Sequence, residues 1–180
     1  MSKRTKRNQR NKTATNTTII IFVIIISIGS AIYLTVQKEQ AKEKRVEIIN
    51  NDIDKIVARM NRVLNEPEQF NIHTKKQRDD DETRLLQIAS SVKAEINDIL
   101  IEMKANGYPY VDKVNNDVNM FFAVYRAALG DKIFSYDIGE LGDEKLKNDA
   151  DANYAKESQD CAANISDVQT LKVESSNLTN

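Results

Sequence analysis

Between Asp149 and Asp160 the chain sets oxygen-bearing side chains, Asp149, Asp151, Asn153, Glu157 and Asp160, at positions one, three, five, nine and twelve of a calcium-loop template. The template also needs a glycine at position six for its sharp turn, and Tyr154 stands there, with Lys156 where an apolar residue is usual. The run therefore reads as a solvated acidic face of a helix, and no metal ligand is assigned.

Cys161, the sole cysteine, follows Tyr154 by seven residues and precedes Ile165 by four, which places it on the apolar side of the same helix as a small buried hydrophobe. Its alternative is an intermolecular disulfide, since a single cysteine has no internal partner and belongs to no multi-cysteine metal site. His73, the sole histidine, lies beside Lys75 and Lys76 in a stretch read as a solvated loop, with no second ligand or nucleophile near it in sequence. Tyr108, Tyr110, Phe121, Phe122 and Tyr125 read as core rather than as a ligand cage. The Asn-x-Ser/Thr triplets at Asn164 and Asn177 matter only in a host that glycosylates. No G-x-S-x-G, H-E-x-x-H or phosphate-binding glycine loop is present. The expectation is a chain that is not an enzyme, with no catalytic residue, no cofactor and no metal.

The elements that carry these residues are helical in composition. There is no tryptophan, and 5 glycines and 2 prolines in 180 residues suit helices better than a turn-rich β fold. The formal charge of -1 hides an asymmetry: Lys3, Arg4, Lys6, Arg7, Arg10 and Lys12 stand with no acid among them, whereas acids dominate from Asp131 onward. The acidic distal part repels nucleic acid, and the basic tail lacks the aromatic residues on which bases stack, so no nucleic-acid partner is expected.

Thr17 to Val36 is apolar apart from hydroxyls and a glycine and carries no charge. Roughly twenty residues at about 1.5 Å each span the roughly 30 Å hydrocarbon layer, so the lipid bilayer is the first partner expected. A cleaved signal peptide is the rival, with Ile19 to Ile28 as its core and Gly29, Ser30 and Ala31 at the cut. The apolar run, however, continues through Ile32, Tyr33, Leu34 and Val36, which favours an uncleaved signal anchor. A purely basic N-terminal flank against one where Lys38, Lys42, Lys44 and Arg45 mix with Glu39, Glu43 and Glu47 places the N-terminus in the cytoplasm.

Beyond the span, Val46, Ile49, Ile53, Ile56, Met60 and Val63 repeat at spacings of three and four, and Pro67 stops that helix. A second seam, Leu85, Ala89, Val92, Ile96, Ile99 and Met103, follows the acids Asp79 to Glu82 and ends at Gly107. A third, Val111, Val114, Val118, Phe121, Tyr125 and Leu129, starts behind Pro109 and ends at Gly130. Lys93 falls on the side of the second helix expected to be exposed. Residues 131–142 read as an ordered loop over the bundle end. A fourth, thinner helix from Asp143 carries Leu146, Ala150, Tyr154, Cys161, Ile165, Val168 and Leu171.

The expected organisation is all-α: a basic cytoplasmic tail (1–16), a transmembrane helix (17–36) continuing into an exterior antiparallel bundle of about four helices (37–174), and a disordered tail (175–180). Its expected function is a membrane-anchored noncatalytic module for protein–protein interaction or assembly at the cell envelope, through a protein partner or a homo-oligomer formed along the helical seams. Two alternatives rest on architecture alone. The plan is similar to the exterior ligand-binding bundles of bacterial chemoreceptors, which here would act through a partner. It also looks like the inner-membrane subunit of phage lysis systems.

Overall fold

A computed structural model describes the backbone of residues 3–66 and 75–174 and the side chains of residues 22–66 and 77–174. Pro67, Phe70, Ile72, His73, Asn177 and the tail from residue 175 lie outside the described residues, and with them the expectations placed on them. Four helices and no strand occur among the described residues: α1 (Lys3–Asn65), α2 (Lys75–Ala105), α3 (Val111–Leu141) and α4 (Glu144–Thr170). The described part of the chain is all-helical, as its composition predicts.

The chain divides into two compact units, Met1–Lys44 and Arg45–Asn180. The first is helical throughout its described length, and its large apolar side chains from Phe22 to Val36 are all exposed, Phe22 at 66% and Val36 at 48%. Its polar interruptions bond inward: the Ser27 hydroxyl donates to the Val23 carbonyl at 2.8 Å and Thr35 to Ala31 at 2.9 Å. That pairing removes the need for water at either hydroxyl.

In the second unit, the seams read from the sequence close on one core. Ile49, Ile53, Ile56, Met60 and Val63 of α1, Ala89, Val92, Ile96, Ile99 and Met103 of α2, and Val111, Val114, Val118, Phe121 and Tyr125 of α3 belong to a single buried cluster. Helix α4 adds Cys161, Ile165 and Val168, and Leu171 and Val173 beyond its end complete it. α3 and α4 share the most extensive contact. The thinness of the fourth seam is real: Leu146 is exposed and Tyr154 only half-buried.

The turns follow from glycine and capping chemistry. Gly107, at φ 73°, lets its own N–H reach the Lys104 carbonyl at 3.0 Å and the Tyr108 N–H reach Met103 at 3.1 Å, a Schellman closure that ends α2. Gly142, at φ 77°, ends α3, and the Asp143 carboxylate immediately caps α4 by accepting from the Leu146 N–H at 3.1 Å.

Three boundaries differ from expectation. Residues 131–142 are not a loop over the bundle end. They continue α3 to Leu141, because a glycine within a helix costs only about 1 kcal/mol and the extension is held from both sides. Buried Ser135 donates to Asp151 of α4, and Arg78 of α2 grips Asp137 and Glu140. Helix α2 begins at Lys75, so Asp79 to Glu82 lie inside it rather than at its start. Pro109 precedes α3, which starts at Val111, and so does not occupy its first position.

Ile96 and Ile101 share one helix and one chemistry, yet Ile96 is 0% exposed and Ile101 67%. Ile96→Ala is expected to destabilise the second unit by about 2–5 kcal/mol and Ile101→Ala by about 0.5 kcal/mol or less, measured by denaturant unfolding of the chain in mild detergent. Equal losses would mean that α2 does not pack through this seam.

Candidate functional site

The acidic run does not fold into a loop. Asp149 to Asp160 lies within α4, and eleven residues at about 1.5 Å each set its ends roughly 16 Å apart along the axis, too far to surround one ion. Among the described residues no cluster of three potential metal-binding side chains occurs. The members have separate occupations. Asp151 accepts from the Ser135 hydroxyl and, at 2.9 Å, from Lys147 Nζ. Those two bonds, Ser135 first, hold its carboxyl below the ordinary range, and the same contact holds the Lys147 ammonium above its own.

A serine, an aspartate and a lysine in one chain of hydrogen bonds invite comparison with an activated nucleophile. The geometry opposes that chemistry. A carboxylate stabilised as the anion is a poorer base, Lys147 reaches the aspartate rather than the serine, and Ser135 is buried away from any substrate. The trio joins α3 to α4.

Glu157 is the contrasting acid. Burial first, then neighbouring Asp131, pushes its carboxyl above the ordinary range, and its Oε2 is buried with no hydrogen-bond partner among the described residues. Asp131, Asn153, Lys156, Glu157 and Asp160 border an open hollow of about 420 Å³ between α3 and α4.

Cys161 is fully buried and unpaired, with its thiol donating weakly to the Phe121 carbonyl at 3.8 Å. Burial, then the nearby Glu157 and Asp160 carboxylates, pushes the thiol up to about 12. It occupies the place of a small hydrophobe, as its spacing predicts. Four of the five aromatics are likewise core. Phe121 stacks on Tyr125 at 6.2 Å and meets Phe122 edge-on at 5.1 Å, and only Tyr110 is exposed, edge-on to Tyr108 at 5.7 Å. Asn164 donates its amide to the Asp160 carbonyl at 2.9 Å, on the half-buried flank of α4.

Three polar assemblies have no counterpart in the sequence reading. Arg78, 3% exposed, makes a two-pronged bond to Glu140 at 2.7 and 2.9 Å and reaches Asp137 at 2.7 Å; the Glu140 bonds first hold the guanidinium even more firmly protonated. Asn50 of α1 brackets the backbone of Val173, donating to its carbonyl and accepting from its N–H, both at 2.9 Å. Beside that bracket Tyr108 donates to the Leu171 carbonyl and Lys172 pairs with Asp54 at 2.7 Å.

The third is a groove of about 230 Å³ between α2 and α3, walled by Leu86, Ala89, Phe122 and Ala123 and bordered by Lys93 and Arg126. Lys93, expected on the exposed side of α2, is half-buried because its ammonium lies 5.7 Å from the centre of the Phe122 ring. The apolar stem packs while the charge stays at the rim, which a residue-type reading scores as exposed.

Comparison of the chain with protein-family models, with curated proteins and with solved structures finds no match.

Two outcomes are expected from these environments. At pH 8 the native chain leaves Cys161 unmodified by iodoacetamide over times that suffice to label it fully in denaturant, as mass spectrometry would record. Native-state labelling at the denatured rate would place the thiol at the surface. Glu157→Gln raises the melting temperature at pH 7. The folded carboxyl titrates above the unfolded one, so its contribution is fully present below the unfolded pKa of about 4.3 and is lost as pH rises through the folded value. The gain from glutamine should therefore vanish in acid; a gain that persists below that pH would show that the ionised carboxylate is not its source.

Proposed function

We propose that the chain is a membrane-anchored, noncatalytic helical module. Its N-terminus is cytoplasmic, residues 17–36 lie in the bilayer, and the region from residue 37 to 174 forms an antiparallel helical bundle on the other side that docks onto another protein or a second copy. The observation that carries the anchor is the first unit itself. Among the described residues one helix is long and apolar enough to cross a membrane, and every large apolar side chain from Phe22 to Val36 is exposed, with nothing of the chain covering it. Isoleucine on all sides of a helix suits lipid and is unfavourable in water, while Ser27 and Thr35 bond to their own backbone as a hydrocarbon layer demands.

The orientation rests on the basic flank, Lys3 to Lys12. The opposed direction of neighbouring helices is supported by cross-pairs: Arg78 near the start of α2 meets Glu140 near the end of α3, while Lys93 in the middle of α2 meets Phe122 in the middle of α3. The docking role is supported by the apolar side chains that the second unit leaves exposed, Ile101, Met120, Phe134, Leu141 and Leu146. A ligand-sensing role is the second reading, and the groove between α2 and α3 favours it.

The protein is expected to stay with membranes through carbonate extraction, and protease added from outside is expected to remove everything beyond about residue 40. An impermeant maleimide should label Cys161 once urea unfolds the exterior part. A soluble mature form beginning near Ile32 would establish a cleaved signal peptide. Protection of Cys161 from the maleimide in urea would reverse the orientation.

A further inference from the structure

Three cations of the second unit reach acids on another element. Arg59 of α1 pairs with Glu95 of α2 at 2.9 Å, Arg78 of α2 with Asp137 and Glu140 of α3, and Lys172 with Asp54 of α1. Lys93 and Arg126 reach none of them, as is also true of Lys132 of α3, whose ammonium lies over the Tyr154 ring of α4 at 4.3 Å. Lys93 and Arg126 stand on facing helices at the border of one groove, no carboxylate lines it, and among the described residues neither forms an ion pair. Acids stand on the same helix, Glu95 and Asp98 among them, but none lines the groove, whose two charged side chains are both cationic.

The floor between the two charges is apolar. Ala89 and Phe122 are buried, and Leu86 and Ala123 form the sides. Ser90 and Asn119 add a hydroxyl and an amide at the border. Leu86 to Lys93 on one helix and Asn119 to Arg126 on the other each span seven steps of about 1.5 Å, so the groove is roughly 10 Å long. Its volume of about 230 Å³ equals between seven and eight waters at about 30 Å³ each, below the roughly 300–1,000 Å³ that encloses drug-sized ligands.

We propose that this groove is a binding site for a small organic carboxylate with an apolar, single-ring-sized body, its anion held between Lys93 and Arg126 and its body laid against Leu86, Ala89 and Ala123. Arg126 offers a planar fork of donors matched to two carboxylate oxygens, and Lys93 supplies a point charge already positioned by the ring beneath it. A phosphate-rich polymer fits poorly, because two cations on an acidic surface do not offset its repulsion. A neutral ligand of the same shape leaves both charges unused. The inference concerns the second unit alone and stands whether or not the first unit lies in a membrane.

The test uses the full chain in lipid nanodiscs with alanine methyl groups labelled for NMR, and benzoate as probe against benzamide, its neutral counterpart. Benzoate should shift the Ala89 and Ala123 methyl signals saturably, and benzamide should leave them in place or move them only in proportion to its concentration. Lys93→Gln and Arg126→Gln should each weaken benzoate by roughly threefold, the scale of an exposed charge pair, and the double variant by roughly tenfold. Both side chains lie at the groove border, so an unchanged methyl spectrum without ligand verifies that each variant is folded. Equal responses to benzoate and benzamide, unmoved methyls, or a double variant that binds as the parent would each overturn the site. Carbonate extraction and protease protection test the anchor separately, so failure of one reading is distinguishable from failure of the other.

Discussion

The second unit depends on the burial of one apolar seam per helix. Its helices draw most of their stability from packing rather than propensity, the more so because the first two exterior seams are rich in isoleucine and valine, which are not strong helix formers. Ile53, Ile96, Val118 and Phe121 are buried together in the same cluster, and each contributes on the scale of a few kcal/mol for a fully buried aliphatic or aromatic side chain. The fourth helix brings fewer large side chains, and Cys161 fits there for that reason: a thiol is small enough to lie against Phe121 where a leucine would crowd it.

Polar groups enter this structure mainly where seams give no instruction. Burying a hydrophobic stripe says which face turns inward but leaves helices free to slide by a turn. Directed bonds fix the register. Arg78 ties the first turns of α2 to the last turns of α3, and its fork accepts only one placement of Glu140. Ser135 and Asp151 do the same for α3 and α4, across the Gly142 turn. At the other end, Asn50 closes both backbone hydrogen bonds of Val173, so a segment with no secondary structure of its own is satisfied as though it were paired in a sheet. A buried arginine held by two half-exposed acids, as Arg78 is by Asp137 and Glu140, is better understood as specifying an arrangement than as a net source of stability.

This division explains what was legible in the sequence. The seams of α1, α2 and α3 were readable because period and burial share one cause: every seam residue named from Ile49 to Val63, from Leu85 to Met103 and from Val111 to Leu129 is buried. The capping role of Gly107 and the start of α4 at Asp143 were readable because turn chemistry is local. The end of α3 was not. Gly130 looks like a stop, and Ile133, Phe134, Tyr136 and Ile138 mimic strand alternation, while the bonds that hold the extension come from Arg78 and Asp151, distant in sequence. The run from Asp149 to Asp160 was legible as a helix face and lies within α4, since the calcium template counts residues while a helix sets their rise. The cations of the groove gave no signal, because Lys93 and Arg126 acquire meaning only when α2 and α3 are brought together.

Isoleucine is distributed in two different ways along α1. From residue 19 to 28 isoleucines fall in runs, 19–21, 24–26 and 28, that leave no polar stripe; from residue 49 to 56 they fall at spacings of four and three and cover one stripe, with Asp54, Lys55 and Asn51 on the rest. In the first segment the exposed members have no protein surface to meet, and in the second the seam isoleucines are fully buried. A helix covered in isoleucine has no preferred face for a protein partner but a large gain from any apolar surroundings, whereas a striped helix gains only where its stripe is matched. The composition of one residue type is thus nearly neutral between membrane and core, and its angular distribution decides which environment each half of the helix suits.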